Sequence, residues 1–219
     1  MTPFITGANR GIGLRLLQDY AAAGPVHGTS RGTPPRVPGA LWHRLDVTDP
    51  ASHQALATDL KGQKIDLLIC NAGIYPDKGQ RLADGYPAPM WADTLAANVT
   101  GVFLTVQNLL PKLRLSDTPR IAIISSIMAS DTRAPGGSYI YRASKAAALN
   151  LGRNLAADLA PEGIAVGIYH PGWVRTDMGG TGADIDVDEA AAGLRARFDA
   201  LSPKTTGCFE GWNGRELAF

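Results

Sequence analysis

A tyrosine and a lysine four residues apart carry the first chemical signal in this sequence. In the segment Tyr141-Arg142-Ala143-Ser144-Lys145, that spacing places the two side chains on one face of a helix. A free tyrosine has a pKa of about 10, too high for an efficient base at neutral pH, and a nearby ammonium lowers that pKa. Tyr141 could then donate a proton to a carbonyl oxygen or accept one from an alcohol. The spacing alone also fits an ordinary pair on a helix surface.

A glycine-rich turn near the amino terminus indicates a site for a phosphate-bearing ligand. Residues 6–13 read Thr-Gly-Ala-Asn-Arg-Gly-Ile-Gly. Gly7 would allow a tight turn, Gly11 would let the backbone approach a pyrophosphate, and Gly13 would let a helix pack against a strand. Free N–H groups at the start of a helix attract an anion. An ordinary glycine-rich loop is the alternative.

The residues after the second predicted strand favour NADP over NAD. Sites that prefer NAD place an acidic residue here, whereas Thr29-Ser30-Arg31 contains no carboxylate. Arg31 could bind the ribose 2′-phosphate through two hydrogen bonds, and Arg10 in the glycine turn is a second candidate cation. The alternative is that both arginines are solvated loop residues.

Alternating strands and helices would position these segments. Apolar runs of strand length cover residues 4–5, 26–30, 41–45, 65–70, 121–124 and 164–169, and helical patterns cover 13–23, 51–60, 89–110 and 141–159. Continuous apolar strands, buried on both faces, are typical of a parallel sheet covered by helices. We therefore predict a single α/β domain over 1–219. Its expected fold is a Rossmann-type, doubly wound parallel sheet in three α/β/α layers, with the ligand crevice along the carboxyl edge.

The composition narrows the possible partners. The chain has 219 residues, 45% of them hydrophobic, and a formal net charge of +1. This balance gives no reason to expect a nucleic-acid or membrane-surface partner. The two cysteines, Cys70 and Cys208, form no CxxC pair, so neither a disulfide framework nor a metal site is expected. We see no signal peptide and no membrane span, and we expect a cytoplasmic protein.

Several motifs together resemble the short-chain dehydrogenase/reductase family. The Gly-x-x-x-Gly-x-Gly turn, Asn71-Ala72-Gly73, the Tyr-x-x-x-Lys pair and a later Pro-Gly turn occur in the family's order from Thr6 to Thr176. Two segments, Tyr-Arg-Ala-Ser-Lys-Ala and His-Pro-Gly-Trp-Val-Arg-Thr, are similar in sequence to the carbonyl-reductase subgroup that includes sniffer and the C-factor proteins. The resemblance implies hydride transfer between a nicotinamide cofactor and a substrate carbon.

The resemblance also implies a catalytic relay of Asn98, Ser126, Tyr141 and Lys145. In the family the serine binds the substrate oxygen, the asparagine holds a water linked to the lysine, and the lysine also holds the nicotinamide ribose. Ser125 is the alternative to Ser126, because the interval to the tyrosine is slightly longer than is usual. For the asparagine, a mere irregularity of the helix is the alternative.

Cofactor contacts follow from the resemblance at further positions. Asp46 would reach the adenine amino group, or else it helps to start the next helix. Asn71 would support the sheet and the cofactor edge, and Val174 and Thr176 would contact the carboxamide. The predicted cofactor-binding residues are Gly7, Asn9, Arg10, Gly11, Ile12, Gly13, Ser30, Arg31, Asp46, Val47, Asn71, Ala72, Gly73, Tyr141, Lys145, Pro171, Gly172, Val174 and Thr176.

Three functions fit this pattern. The leading one is an NADP-dependent carbonyl reductase that acts on small aldehydes, ketones or quinone-like compounds. In the family the segment after Thr176 forms a substrate lid; here it is short, which predicts an open pocket, and its glycines predict mobility. The second is a sensor or signalling protein that binds NADP without turnover. The third is a 3-oxoacyl-type biosynthetic reductase, for which Arg195 and Arg197 near the mouth would contact a carrier protein. By analogy with the family, we expect a homodimer or homotetramer that pairs through the two long helices.

Overall fold

Seven short strands form the single sheet of the protein, whose computed structural model describes residues 1–219. The strands are β1 (Pro3–Ile5), β2 (Val26–Ser30), β3 (Ala40–Arg44), β4 (Leu67–Cys70), β5 (Arg120–Ile124), β6 (Ala165–His170) and β7 (Phe209–Gly211). All neighbouring strands are parallel, and their order is β3-β2-β1-β4-β5-β6-β7. The strand order reverses between β1 and β4, where a doubly wound sheet opens a crevice at its carboxyl edge.

The protein has six α-helices, five of which cover the two faces of this sheet. They are α1 (Gly11–Ala21), α2 (Pro50–Asp59), α3 (Ala88–Leu95), α4 (Gly101–Leu113), α5 (Tyr139–Leu159) and α6 (Val187–Ala200). Apolar residues of α1 and α6 pack on one face, and those of α2, α4 and α5 pack on the other. The predicted Rossmann-type fold in three layers is therefore confirmed. No helix combines the length and the apolar content that crossing a bilayer requires.

Successive residues of the central strands point to opposite faces of the sheet. Phe4 of β1 and Leu68 of β4 belong to the apolar cluster under α2, α4 and α5, whereas Ile5 and Ile69 belong to the cluster under α1 and α6. All four side chains are fully buried. Burial on both faces explains why these strands read as continuous apolar runs.

The strand β3 departs from this pattern. Its residues are half-buried or exposed, and the side chain of Leu41 is 48% exposed. The expectation of burial on both faces is wrong here because α1 and α2 make few contacts with this edge strand. The loop of residues 31–39 before it is a surface loop, as its prolines predict.

The predicted helix over 89–110 is longer than expected and is interrupted. It consists of α3, a π-helical turn at Ala96–Thr100, and α4, which continues through Pro111 to Leu113. The prediction that the helix ends before Pro111 was wrong. A proline removes one hydrogen bond, here within the last turn, and the buried side chains of Leu109 and Leu113 hold that turn against the core.

Helix α6 is an element that the apolar pattern does not reveal. Asp186 caps it by accepting a hydrogen bond from the N–H of Glu189 at 2.8 Å. Its buried face contains Ala190, Ala191, Leu194 and Phe198. Two alanines in that stripe make the apolar periodicity weak, which is why the sequence gives little signal for a helix here.

Candidate active site

Four segments that follow strands meet at the carboxyl edge of the sheet. The glycine turn follows β1, residues 71–73 follow β4, residues 125–126 follow β5, and residues 171–176 follow β6. Because all strands are parallel, these segments share one edge. The structure thus brings the predicted catalytic and cofactor-binding segments into one crevice.

The glycine turn needs its glycines for backbone shape and for close packing. Gly7 and Gly11 have φ angles of +63° and +54°, a region that residues with a Cβ rarely adopt. A Cβ at Gly13 would clash with the side-chain nitrogen of Asn71 and with the carbonyl oxygen of Gly7. A larger residue at position 13 would therefore push α1 away from β1 and β4.

The start of α1 presents backbone N–H groups without acceptors. Its N-cap residue, Arg10, makes no side-chain capping bond, and the N–H groups of Gly11, Ile12 and Gly13 have no hydrogen-bond partner in the protein. These groups and the helix dipole together favour a bound anion. The turn therefore fits the pyrophosphate of a dinucleotide.

Arg10 itself is engaged in an ion pair. Its guanidinium lies 3.1 Å from a carboxylate oxygen of Asp177, and both side chains are exposed. The pair joins the glycine turn to the segment after β6. A Cβ at Gly11 would lie 3.5 Å from the Thr176 methyl group, so these two segments also meet by direct packing.

Arg44 is a further cation near Arg31, in addition to Arg10, and was not predicted from the sequence. The register of β2 and β3 pairs Ser30 with Arg44. Ser30, Arg31 and Arg44 all line a cavity of about 480 Å³ at this end of the two strands. Strand register is a tertiary property, so nothing local in the sequence places Arg44 there.

Asp46 forms a turn of its own and does not cap α2. Its Oδ1 accepts hydrogen bonds from the backbone N–H and the hydroxyl of Thr48, at 3.0 and 2.7 Å. These bonds, helped by the charge of Arg31, hold the pKa of Asp46 below its usual value. The cap of α2 is Asp49, which accepts the N–H of Ala51 at 2.9 Å. Asp46 therefore does not help to start α2, which was one of the two roles predicted for it.

Thr6 and Asn71 tie β1 to β4 beneath the crevice. The side-chain nitrogen of Asn71 donates to the carbonyl oxygens of Thr6 and Gly7, both at 3.0 Å. The Thr6 hydroxyl accepts the N–H groups of Asn71 and Ala72. Thr6 is thus a supporting residue whose role the glycine-turn motif does not reveal.

Asn98 lies in the π-helical turn and is 1% exposed. Its Oδ1 accepts the N–H of Ile74 at 2.8 Å, and its Nδ2 donates to the Ile74 carbonyl at 2.9 Å and to the Ser144 hydroxyl at 3.0 Å. The side chain therefore joins the loop after β4 to α5. A Cβ at Gly73 would lie 3.1 Å from Asn98 Oδ1 and 3.5 Å from Lys145 Nζ, so Gly73 covers both residues.

Tyr141 and Lys145 lie side by side on α5, and both are buried. Lys145 Nζ is 5.6 Å from the centre of the Tyr141 ring and donates to the carbonyl oxygen of Ile124 at 2.9 Å. Burial lowers the pKa of Lys145 to about 8.

The two serines after β5 face different groups. The Ser125 hydroxyl donates to the Lys145 carbonyl at 3.0 Å, so it is used in holding α5 against the strand. Ser126 accepts the N–H of Met128, and its side chain lies close enough to the Tyr141 hydroxyl to lower the pKa of that phenol. Ser126 is therefore the serine next to the tyrosine hydroxyl.

The pKa of Tyr141 is raised, whereas the nearby ammonium of Lys145 predicts a lowered pKa. Burial of the phenol is the largest cause, Ser126 offsets part of it, and Tyr75 and Asp77 raise it further. No lowering by the charge of Lys145 offsets this burial. Tyr141 is accordingly held in its protonated form at neutral pH.

The loop after β4 adds two residues to the site that the motifs did not reveal. The ring of Tyr75 stacks on that of Tyr141, with centroids 4.0 Å apart and planes 20° apart. Asp77 is fully buried and accepts backbone hydrogen bonds from the start of α5. Neither residue belongs to a spaced pattern, so only the folded loop shows their proximity.

The segment after β6 closes the other side of the crevice. Gly172 has a φ of +93°, Val174 is buried, and its strand-like bridge to Ile185 anchors the segment. Further along, the carbonyl oxygen of Gly179 accepts bonds from Trp173 Nε1 at 2.9 Å and from Lys78 Nζ at 3.1 Å. The loops after β4 and β6 are thus joined across the mouth.

Arg195 is not at this mouth. Its guanidinium lies 4.9 Å from the centre of the Tyr20 ring and 3.9 Å from Asp19. Both partners belong to the last turn of α1, at the opposite end of that helix from the glycine turn. The placement expected for Arg195 was therefore wrong, because its side chain is used in packing α6 against α1.

Comparison with known proteins agrees with the geometry of the crevice. A family model described as short chain dehydrogenase matches residues 2–184. The C-signal protein of Myxococcus xanthus is 36% identical over 165 residues, which cover 75% of this chain and 98% of that protein. The 3-oxoacyl-(acyl-carrier-protein) reductase of Escherichia coli (strain K12) is 30% identical over 207 residues, covering 90% and 81%.

Two solved structures are similar over their whole length. The NADPH-bound carbonyl reductase from chicken fatty liver has a TM-score of 0.90 at 32% identity and covers 100% of this chain and 98% of its own. The carbonyl reductase Sniffer of D. melanogaster also has a TM-score of 0.90, at 28% identity, and the coverage is 100% and 99%. The resemblance to the sniffer and C-factor subgroup that the motifs indicated is confirmed.

Proposed function

We propose that this chain, which belongs to the short-chain dehydrogenase/reductase family of oxidoreductases, is an NADP-dependent enzyme of the carbonyl reductase type that reduces a carbonyl or oxidises the matching alcohol. The observation that carries the proposal is the buried contact of Ser126, Tyr141 and Lys145 beside the uncapped start of α1. A proton donor and an anion-binding turn thereby share one crevice.

The residues of the crevice divide the chemistry between them. Ser126 would donate a hydrogen bond to the substrate carbonyl oxygen, and Tyr141, protonated at neutral pH, would transfer a proton to that oxygen. The ammonium of Lys145 would stabilise the phenolate that remains. A nicotinamide cofactor, when bound, supplies the hydride. In the reverse direction the same phenolate would accept the alcohol proton.

The cofactor would lie along the carboxyl edge from the cavity at β2 to the segment after β6. The N–H groups of Gly11 to Gly13 would hold the pyrophosphate. Arg31 and Arg44 would hold the 2′-phosphate, and Val174 and Thr176 would contact the carboxamide. The carbonyl reductase from chicken fatty liver, which the chain resembles, has NADPH bound, and this supports the choice of NADP.

The two other functions have weaker support. A sensor that binds NADP without turnover would not need the buried contact of Tyr141 with Ser126 and Lys145. A 3-oxoacyl reductase agrees with the identity to the Escherichia coli enzyme, but Arg195 packs against α1 and does not serve a carrier-protein surface at the mouth.

The test is NADPH consumption with a panel of small aldehydes, ketones, quinones and a 3-oxoacyl thioester. We expect turnover of simple carbonyl compounds, and we expect Tyr141→Phe to lower kcat by about 10²- to 10⁴-fold, the usual contribution of a general acid. Tyr20→Phe is the matched control, since that hydroxyl is buried without a partner far from the crevice. Full activity of Tyr141→Phe would refute the mechanism, and tight NADPH binding without any turnover would favour the sensor.

A further inference from the structure

A buried carboxylate lies at the start of the helix that carries Tyr141. Asp77, in the loop after β4, is fully buried. Its Oδ2 accepts hydrogen bonds from the backbone N–H of Ile140 at 2.9 Å and from that of Tyr141 at 3.2 Å. These N–H groups belong to the first turn of α5, where a helix has no acceptors of its own. Asp77 therefore acts as a cap supplied by a distant segment.

The residue that would normally cap α5 does not do so. Ser138, at the N-cap position, has φ +49° and ψ +42° and makes no side-chain capping bond. Its hydroxyl is instead hydrogen-bonded to the Tyr75 hydroxyl at 2.5 Å. The position of the first turn of α5 thus depends on the loop after β4.

The same loop also contacts the Tyr141 side chain directly. The Tyr75 ring stacks on it, while Ser126 approaches from the end of β5 and Lys145 from the next turn of α5. Among the charged and titratable groups that face the phenol, Asp77 is the one that carries a negative charge. The carboxylate can therefore act on Tyr141 both by holding its backbone and by its charge.

We propose that Asp77 is a positioning residue for Tyr141: it fixes the first turn of α5 and so holds the Tyr141 hydroxyl beside Ser126. This inference rests on the proposed function, in which Tyr141 transfers the proton. A helix start without its cap frays, and small displacements of a reacting group lower turnover strongly.

Two substitutions separate the hydrogen bonds from the charge. A single oxygen of Asp77 accepts both N–H groups, so the amide oxygen of Asp77→Asn can take its place without the charge. Asp77→Ala removes the acceptor as well. The matched control is Asp49→Ala, which removes the cap of α2 and is expected to lower stability without changing the pH dependence of turnover.

The experiment measures kcat against pH for alcohol oxidation at saturating NADP. We expect Asp77→Ala to lose about 10- to 100-fold in kcat with less than about a twofold change in the KM for NADP. We expect Asp77→Asn to keep kcat within a few-fold and to move the acidic limb of the profile down by roughly half a pH unit to one unit, since the phenolate loses a repelling charge. Turnover of Asp77→Ala at the wild-type rate, or an unmoved profile for Asp77→Asn, would overturn the inference.

Hydrogen exchange at the backbone N–H of Ile140 and Tyr141 provides a readout that needs no substrate. We expect faster exchange at both positions in Asp77→Ala and near wild-type exchange in Asp77→Asn. If the wild type turns over no compound, the proposed function fails while this exchange measurement still decides whether Asp77 caps α5. Unchanged exchange in Asp77→Ala would contradict the cap, and if that variant does not fold, the pH profile of Asp77→Asn decides alone.

Discussion

The chemistry of the crevice depends on opposing effects on single residues. Burial raises the pKa of Tyr141 and lowers that of Lys145 to about 8, because a low-dielectric interior disfavours the charged form of each. The hydrogen bond from Lys145 to the Ile124 carbonyl offsets part of the cost of burying the ammonium. Ser126 offsets part of the rise in the pKa of Tyr141. A protonated tyrosine is the form that carbonyl reduction requires, so this balance suits the reductive direction.

The first prediction at the residue scale concerns the choice of cofactor. Arg31→Asp places a carboxylate in the cavity shared with Ser30 and Arg44, where it would repel a 2′-phosphate. We expect kcat/KM for NADPH to fall by at least about 10-fold, since a charge-assisted hydrogen bond contributes roughly 1.5–3 kcal/mol. The measurement is kcat/KM with NADPH and with NADH for both proteins.

The control for this prediction lies in the same loop. Arg36→Asp makes the same charge change at an exposed position outside the cavity, and we expect it to leave the cofactor ratio within about twofold. Equal or better use of NADH by the wild-type protein would contradict the preference for NADP.

At the scale of elements, strand register decides which side chains meet. The pairing of β2 with β3 sets Arg44 beside Ser30 and also sets His27 opposite Leu41, next to His43. The two imidazoles stack with centroids 5.1 Å apart, and Nδ1 of His27 lies 2.9 Å from Nε2 of His43. One of these two nitrogens donates its proton and the other accepts it. The hydrogen bond is therefore lost when the accepting nitrogen is itself protonated.

This histidine contact predicts how stability depends on pH. Burial, with the charge of His43, lowers the pKa of His27 to about 4 in the folded protein, against about 6.5 in the unfolded chain. The unfolded state therefore binds the proton first, and stability is lost as the pH falls from about 6.5 towards 4. We expect the fall in Tm between pH 7 and pH 5 to be smaller in His27→Gln than in the wild type.

Comparison at pH 8 isolates the packing effect of this substitution. The imidazole is neutral there in both the folded and the unfolded state, so any loss of Tm at pH 8 comes from lost contacts with Phe4 and His43. Any further change in the Tm difference between the two proteins at lower pH then comes from protonation of the imidazole. Parallel Tm curves for the two proteins from pH 8 to pH 5 would show that His27 does not contribute.

At the scale of the whole molecule, every segment of the crevice lies at one edge of the sheet. Two side-chain contacts join these segments across the mouth of the crevice. Arg10 reaches Asp177 from the glycine turn, and Lys78 reaches the Gly179 carbonyl from the loop after β4. The start of the short segment after Thr176, which was expected to be a mobile lid, is thus held at Asp177 and at Gly179. Its mobility stays a prediction.

Assembly is the prediction that belongs to this scale. We expect a homodimer or homotetramer through the long helices, and Leu95 of α3 and Phe103 of α4 expose apolar side chains there, 37% and 41% exposed. Light scattering on the wild-type protein should give two or four times the chain mass, and Phe103→Glu should lower it. A wild-type monomer at micromolar concentration would contradict the expectation.

Local patterns in the sequence were enough to predict the fold and the main candidates. A four-residue spacing puts Tyr141 and Lys145 on one helical face wherever the helix lies, and strand–helix alternation sends the segments after parallel strands to one edge. The glycine turn is likewise readable because its backbone angles demand residues without a Cβ. These features depend on neighbours in the chain, which the sequence shows directly.

Only the tertiary structure decided which distant groups meet. Ser125 turns to α5 while Ser126 faces Tyr141, Arg44 joins Ser30 through strand register, and Asp77 caps a helix that starts 62 residues later. Such contacts depend on loop conformation and strand register, which local spacing does not encode. The sequence therefore determined the type of site, and the packing of its loops decided which residues complete it.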